Sequence, residues 1–238
     1  MVTKSLIGEV GVTRSIVPRR DGLVLWLPLY RLQGGSIYSE EGQRHLCTVI
    51  GAIWGSQGRI LDGDDKITAN TVAAGGFFGG AHTLIGWAKL AAWADNMEIA
   101  AASKSDLTAY SFIGYDGALK KFTCHTCKTA AENIVNSSGT YNNDTSWHFV
   151  AATIDADGHI NHFIVDDVDM GSKSTFTNDL SVIDEFRVGS LYAATNYWRG
   201  TGGEVMVYNR ELTVTEIAYI RTQTQRTYKA CWGFFTWG

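Results

Sequence analysis

The sequence predicts an all-β fold in which short antiparallel strands stack as two sheets, with one short helix near the C-terminal end. Three observations carry this. Apolar residues recur at every second position in runs of strand length, Gly, Asn and Asp close those runs at short intervals, and strand patterns do not alternate with long helical ones as a parallel sheet would require. Among 238 residues there are 26 Gly and only two Pro, so reversals fall to Gly, Asn and Asp.

Residues 1–20 show neither period and read as an N-terminal arm. The first strand is DGLVLWLPLY (21–30), where Pro28 confines the run to an edge or forces a bulge. Apolar pieces between Gly turns follow in HLCTVIGAIWGSQGRILDGDDKITA (45–69) and in HTLIGWAKL (82–90). In AYSFIGYDGALKKFTCHTC (109–127) the Asp116-Gly117 pair predicts a hairpin reversal at Tyr115-Asp116-Gly117. SWHFVAATIDADGHINHFIVDD (146–167) predicts a second hairpin, pairing His148–Ile154 with Ile160–Val165 across Asp155-Ala156-Asp157-Gly158. EFRVGSLY (185–192) and GEVMVYNR (203–210) complete the strands. Thr213 with Glu216 three residues on is a capping box, opening a helix whose apolar face is Val214, Ile217 and Ile220. The aromatic run YKACWGFFTWG (228–238) must fold back on the body or meet a partner. The expected organisation is thus an arm (1–20), one sandwich domain (21–228) and a tail (229–238).

Composition bounds the function. With 45% hydrophobic and 12% aromatic residues the chain can bury a large core. A formal net charge of −4 lacks the basic excess that a nucleic-acid surface needs. No run approaches the roughly 18 apolar residues of a membrane span, and residues 1–20 lack the apolar core of a secretory leader, so neither membrane insertion nor that export route is expected. Cys47, Cys124, Cys127 and Cys231 are too scattered for a disulfide scaffold. Cys124 and Cys127 have half the spacing of a zinc site, but on a strand they point to opposite faces and read as simple thiols.

Catalytic patterns are weak. Paired carboxylates on one strand face need even spacing, as in E-x-D-x-E, which does not occur; Asp184 and Glu185 are adjacent, and Asp155 and Asp157 sit in a turn. G-x-S-x-G is also missing. His148 and His162, on facing strands of the second hairpin, are expected near one another as sheet histidines. Asp62, Asp64 and Asp65 could offer hard oxygens to calcium but equally form an ordinary turn, so no metal or cofactor is assigned. For a sugar, the expected platform is Tyr192, Tyr197, Trp198 and Arg199, aromatics beside a cation in a Gly/Ala/Asn-rich loop.

Four segments in this order, GLVLWLPL, ILDGDDKITA, WHFVAATID and GGEVMVYNRELTVTEI, resemble the laminin G-like, concanavalin A-like jelly-roll domains of phage virion and bacterial surface proteins. The last is the most specific, joining strand, Tyr-Asn-Arg turn and capped helix. The resemblance spans about residues 21–228 and implies a jelly-roll sandwich. It departs at Asp166-Asp167, where the family has Asp-Gly, and at Gly202-Gly203-Glu204. The expectation it supports is a non-enzymatic structural protein of a phage particle, a capsid decoration or tail component. Such a protein would be released by lysis, form a homo-oligomer, contact other virion proteins and contact surface glycans. The alternative is a carbohydrate-binding module at a bacterial surface or outside the cell.

Overall fold

A computed structural model describes residues 20–73, 76–91, 97–142, 144–191 and 196–229. The expected arm up to Arg19, the tail from Ala230 onward and Tyr192 lie outside the described residues. In chain order the strands are β1 (Leu23–Pro28), β2 (Ser36–Tyr38), β3 (Leu46–Ile50), β4 (Ile53–Gly55), β5 (Gly58–Asp62) and β6 (Lys66–Thr68). After a one-turn helix α1 (Asn70–Ala73) come β7 (His82–Leu90), β8 (Met97–Ser103), β9 (Ala109–Asp116), β10 (Lys121–Lys128) and β11 (Ala131–Asn136). Then follow β12 (Trp147–Ile154), β13 (Ile160–Val165), β14 (Val168–Asp169), β15 (Glu185–Val188), β16 (Arg199–Tyr208) and helix α2 (Val214–Lys229).

The strands form two antiparallel sheets. Sheet A runs β14-β13-β12-β7-β16-β5-β4, with β1 beside the second half of β16; sheet B runs β11-β10-β9-β8-β15-β6-β3-β2. Alternate side chains of both sheets meet in one core, including Leu25, Leu84, Ile113, Phe122, Phe163 and Phe186. Within it His82 joins the sheets, donating from Nδ1 to the Gly80 carbonyl (3.0 Å) and accepting the Ser111 hydroxyl at Nε2 (3.0 Å). Burial lowers its pKa to about 4, so this bridge is the neutral imidazole.

The hairpin at 146–167 forms as expected. Thr153 lies opposite His162 and Val150 opposite Val165. Asp155 Oδ1 accepts the N–H groups of Asp157 and His159 (2.9 Å each), and Gly158 takes φ 72°. A Cβ there would stand 2.6 Å from the Asn178 carbonyl oxygen, so both backbone angle and space demand glycine. Gly158→Ala is therefore expected to lower unfolding stability by about 2 kcal/mol in a urea titration; an unchanged midpoint would show that the loop yields freely. The other hairpin turns later than expected. Residues 117–120 make the reversal, Asp116 Oδ1 accepts the N–H groups of Ala118 and Leu119, and the positive φ falls on Lys120 (58°) instead of Gly117.

The capping box is complete: Thr213 N–H donates to Glu216 Oε2 (2.9 Å) and Glu216 N–H to Thr213 Oγ1 (3.2 Å). Helix α2 is the short helix expected near the C-terminal end, and it packs on the outer face of sheet A. Ile217, Ile220 and Tyr228 bury Trp26, Trp87, Phe149 and Met206, while Trp87 Nε1 donates to Thr224 Oγ1 (2.7 Å). Val214, expected on the buried face, is 42% exposed; as the first helical residue it precedes the turn that meets the sheet. This second core explains why β7 is buried on both faces despite its alternation. Cys47, Cys124 and Cys127 are buried free thiols; Cys124 joins the inter-sheet core, whereas Cys127 lies opposite Tyr110 on the other face of sheet B.

Candidate functional site

The fold brings together two groups that lie far apart in sequence. Register pairs Arg199 with Asp62, so the 62–66 turn and the 196–199 segment share one end of the sandwich. Lys66 Nζ stands 6.0 Å from the centre of the Tyr197 ring, and Arg199 lies so close to Gly63 that a Cβ there would be 2.5 Å from Nε. Glu98, buried on β8, anchors the segment by accepting the Asn196 side-chain amide (3.1 Å). Trp198, however, is 1% exposed and its indole is part of the inter-sheet core. It cannot offer a face to a sugar, which corrects the expected platform: a large ring next to Gly200 and Gly202 fills the space those glycines leave. Tyr197 is half-buried and Arg199 exposed.

Carboxylate oxygens of Asp62, Asp64 and Asp65 lie within 4.8 Å of one another. Their donor type suits a hard divalent cation, but three carboxylates fall short of the roughly six to eight oxygens calcium takes. Asp65 Oδ2 already accepts the Asp62 N–H (3.0 Å), and burial first, then the neighbouring carboxylates, raises its pKa. His148 and His162 are not neighbours in function either. His148 sits opposite Ala88 on β7, with Nδ1 2.9 Å from Asp166 and Nε2 3.2 Å from Asp144, while His162 pairs with Asp169 (2.6 Å). The hairpin register places them at opposite ends of the paired stretch.

An open polar cleft lies elsewhere, at the β2 edge of sheet B. Its volume is about 470 Å³, and Arg31, Gln33, Ser36, Tyr38, Ser39, Glu40, Glu41 and Arg44 line it. Strand alternation builds it: Ile37 points into the core, whereas Ser36 and Tyr38 point outward, leaving the Tyr38 ring 50% exposed. Two buried ionic side chains fix its walls. Arg59, 3% exposed, donates to the carbonyls of Leu32 and Gly34 (2.7 Å each) and of Ala52 (3.0 Å), which holds the 31–35 loop. Glu41 accepts the Trp26 N–H at Oε2 (2.7 Å) and the Ser39 hydroxyl at Oε1 (2.5 Å), which staples the 38–45 turn to β1. Arg31 pairs with Glu40 (2.5 Å) and lies 5.8 Å over the Trp26 ring.

Beneath this wall, Trp26 Nε1 donates to Glu204 Oε1 (3.1 Å), and Glu204 Oε2 is buried without a partner among the described residues. Burial pushes the Glu204 pKa up to about 7, against a smaller opposing effect of the Trp26 hydrogen bond. The outer face of sheet B also bears Tyr110, Phe112 and His125, where Phe112 packs with Leu191 and Tyr110 is hydrogen-bonded to Glu132. The β2 cleft escapes sequence reading because RLQGGSIYSEEGQR carries a strand only three residues long. Its one signal is a lone tyrosine alternating with an apolar residue among hydrogen-bonding side chains.

Two antiparallel sheets packed face to face in a sandwich define a lectin-like jelly roll. The chain belongs to the concanavalin A-like lectin/glucanases superfamily, whose Laminin_G_3 model matches residues 61–218. Solved structures agree in fold. Domain 4 of AbnA, a GH43 extracellular arabinanase from Geobacillus stearothermophilus, in complex with arabinotriose, superposes with a TM-score of 0.63 at 14% identity, covering 85% of this chain and 99% of that one. The binding domain of botulinum neurotoxin DC in complex with SialylT gives 0.62 at 13% identity, and Trypanosoma rangeli sialidase in complex with 2,3-difluorosialic acid gives 0.62 at 18%; each covers 86% of this chain. This chain spans 52% of the toxin domain and 33% of the sialidase. No curated protein matches the sequence.

Proposed function

We propose that the chain is a non-catalytic glycan-binding module whose saccharide site is the β2 cleft. The observation that carries this reading is Tyr38, a half-exposed aromatic ring in a preformed hollow beside Ser36, Gln33 and Arg44. A sugar needs an apolar face to stack on and hydrogen-bonding groups around its hydroxyls, and the cleft offers both. The two cleft carboxylates are unsuited to acid–base work, because Glu40 is held by Arg31 and Glu41 is turned inward onto the Trp26 N–H. Full-length likeness to an arabinanase domain solved with arabinotriose supports the same reading. We extend the proposal to a surface setting, on a virus particle or a cell, since a glycan-binding cleft acts where glycans are displayed.

A glycan array with the purified chain tests it. Tyr38→Ala is expected to weaken binding at least tenfold, because a stacking face is lost. Its stability should change by less than about 1 kcal/mol, since the ring is half in water. Binding that survives Tyr38→Ala unchanged would remove the saccharide from this cleft.

A further inference from the structure

Resting on the reading of the β2 cleft as a glycan site, we infer that its ligand is an anionic saccharide held by Arg44. Three observations converge on this side chain. Arg44 occupies the left-handed region at φ 55°, a conformation that costs a non-glycine residue energy and persists where the surroundings impose it. Its guanidinium lies 5.3 Å over the Tyr38 ring, on the wall of the cleft. It also has no carboxylate partner among the described residues, as Arg59 and Arg199 have none, whereas Arg31, Arg187, Arg210 and Arg221 each pair with one.

The other charges of the cleft are already engaged. Glu40 is paired with Arg31, and Glu41, 5% exposed, spends both oxygens on Trp26 and Ser39. What remains directed at a guest is one planar fork of donors stacked on an aromatic ring. That fork matches a carboxylate or sulfate with two parallel hydrogen bonds, while the Tyr38 ring and the Ser36 hydroxyl serve the sugar itself. A neutral saccharide would leave the exposed guanidinium to water and gain nothing from its charge.

The test is an array in which sialylated, uronate-bearing and sulfated glycans each stand beside a neutral counterpart, the carboxylates masked as methyl esters and the sulfates removed. Wild type should favour the anionic member at least tenfold, with the preference shrinking as salt is added, and the arm that binds identifies the anion as carboxylate or sulfate. Arg44→Gln should erase the preference and Tyr38→Ala should weaken both members. Arg44→Gly removes the cation and relieves the backbone, so this variant should unfold at the same temperature or higher while binding anionic and neutral members alike. Equal wild-type binding to both members, or a preference that survives Arg44→Gln, overturns the assignment of an anion while leaving a Tyr38-dependent glycan site standing. Binding to no glycan at all overturns the glycan reading and this inference with it.

Discussion

Trp198→Ala is expected to destabilise the fold by about 3–5 kcal/mol, the range for deleting a large buried aromatic. The indole packs among Leu61, Ala88, Ile99 and Val188, between the two sheets, and the Trp198 backbone N–H donates to the Gly189 carbonyl (2.8 Å) to start the run into β16. The neighbours cannot close the hole, because Gly200 and Gly202 have no side chains to contribute. Thermal unfolding should fall by roughly 10 °C for a chain of this size. Below that lowered transition, glycan binding at the β2 cleft should persist. Tyr38→Ala is the mirror image, with binding lost and stability kept. A Trp198→Ala protein that melts like wild type yet loses glycan binding would restore the indole to the role its loop composition suggests.

The second large effect is in the pH dependence of stability. Glu204 has a folded pKa of about 7 against an ordinary 4.5, so it binds a proton more tightly in the folded state. Its contribution is fully present below pH 4.5 and is lost as pH rises through 7, a change of about 3 kcal/mol. His82 has the opposite sign. Its folded pKa of about 4 lies below the ordinary 6.5, so its contribution is present above pH 6.5 and is lost as pH falls through 4, again by about 3 kcal/mol. Between pH 4.5 and 6.5 the slopes of these two groups oppose one another, while Glu98, whose carboxyl pKa is raised by burial well above the ordinary range, adds to the slope of Glu204. Glu204→Gln keeps an acceptor for Trp26 Nε1 but removes the titration. Its stability relative to wild type, from urea unfolding at a series of pH values, should rise by about 3 kcal/mol between pH 4.5 and 7. A variant profile parallel to wild type would mean that Glu204 is ionised when folded.

Much of the architecture was legible because its signals are local. Asp-Ala-Asp-Gly at 155–158 makes its turn with its own side chain and one positive φ, and Thr213 with Glu216 closes two hydrogen bonds within a single helical turn. Period-two patterning gave the strands, and the order of four segments gave the family. Side-chain destinations were harder. Trp198 and Tyr38 are both aromatics in polar, Gly-containing surroundings, and nothing adjacent in sequence says which one is covered. Coverage is decided by β16 lying between β5 and β7 for Trp198, and by β2 being the last strand of its sheet for Tyr38.

The sequence by itself determined that this chain is an antiparallel sandwich with a capped C-terminal helix, since hydrophobic period, turn chemistry and capping act over a few neighbouring residues. Tertiary structure alone decided where the β2 cleft lies. Edge position, the buried clamps of Arg59 and Glu41, and the packing of α2 over sheet A join residues distant in sequence, more than a hundred positions apart for Trp87 and Thr224. Contacts of that range depend on which strands become neighbours, and strand order is a property of the packed core as a whole.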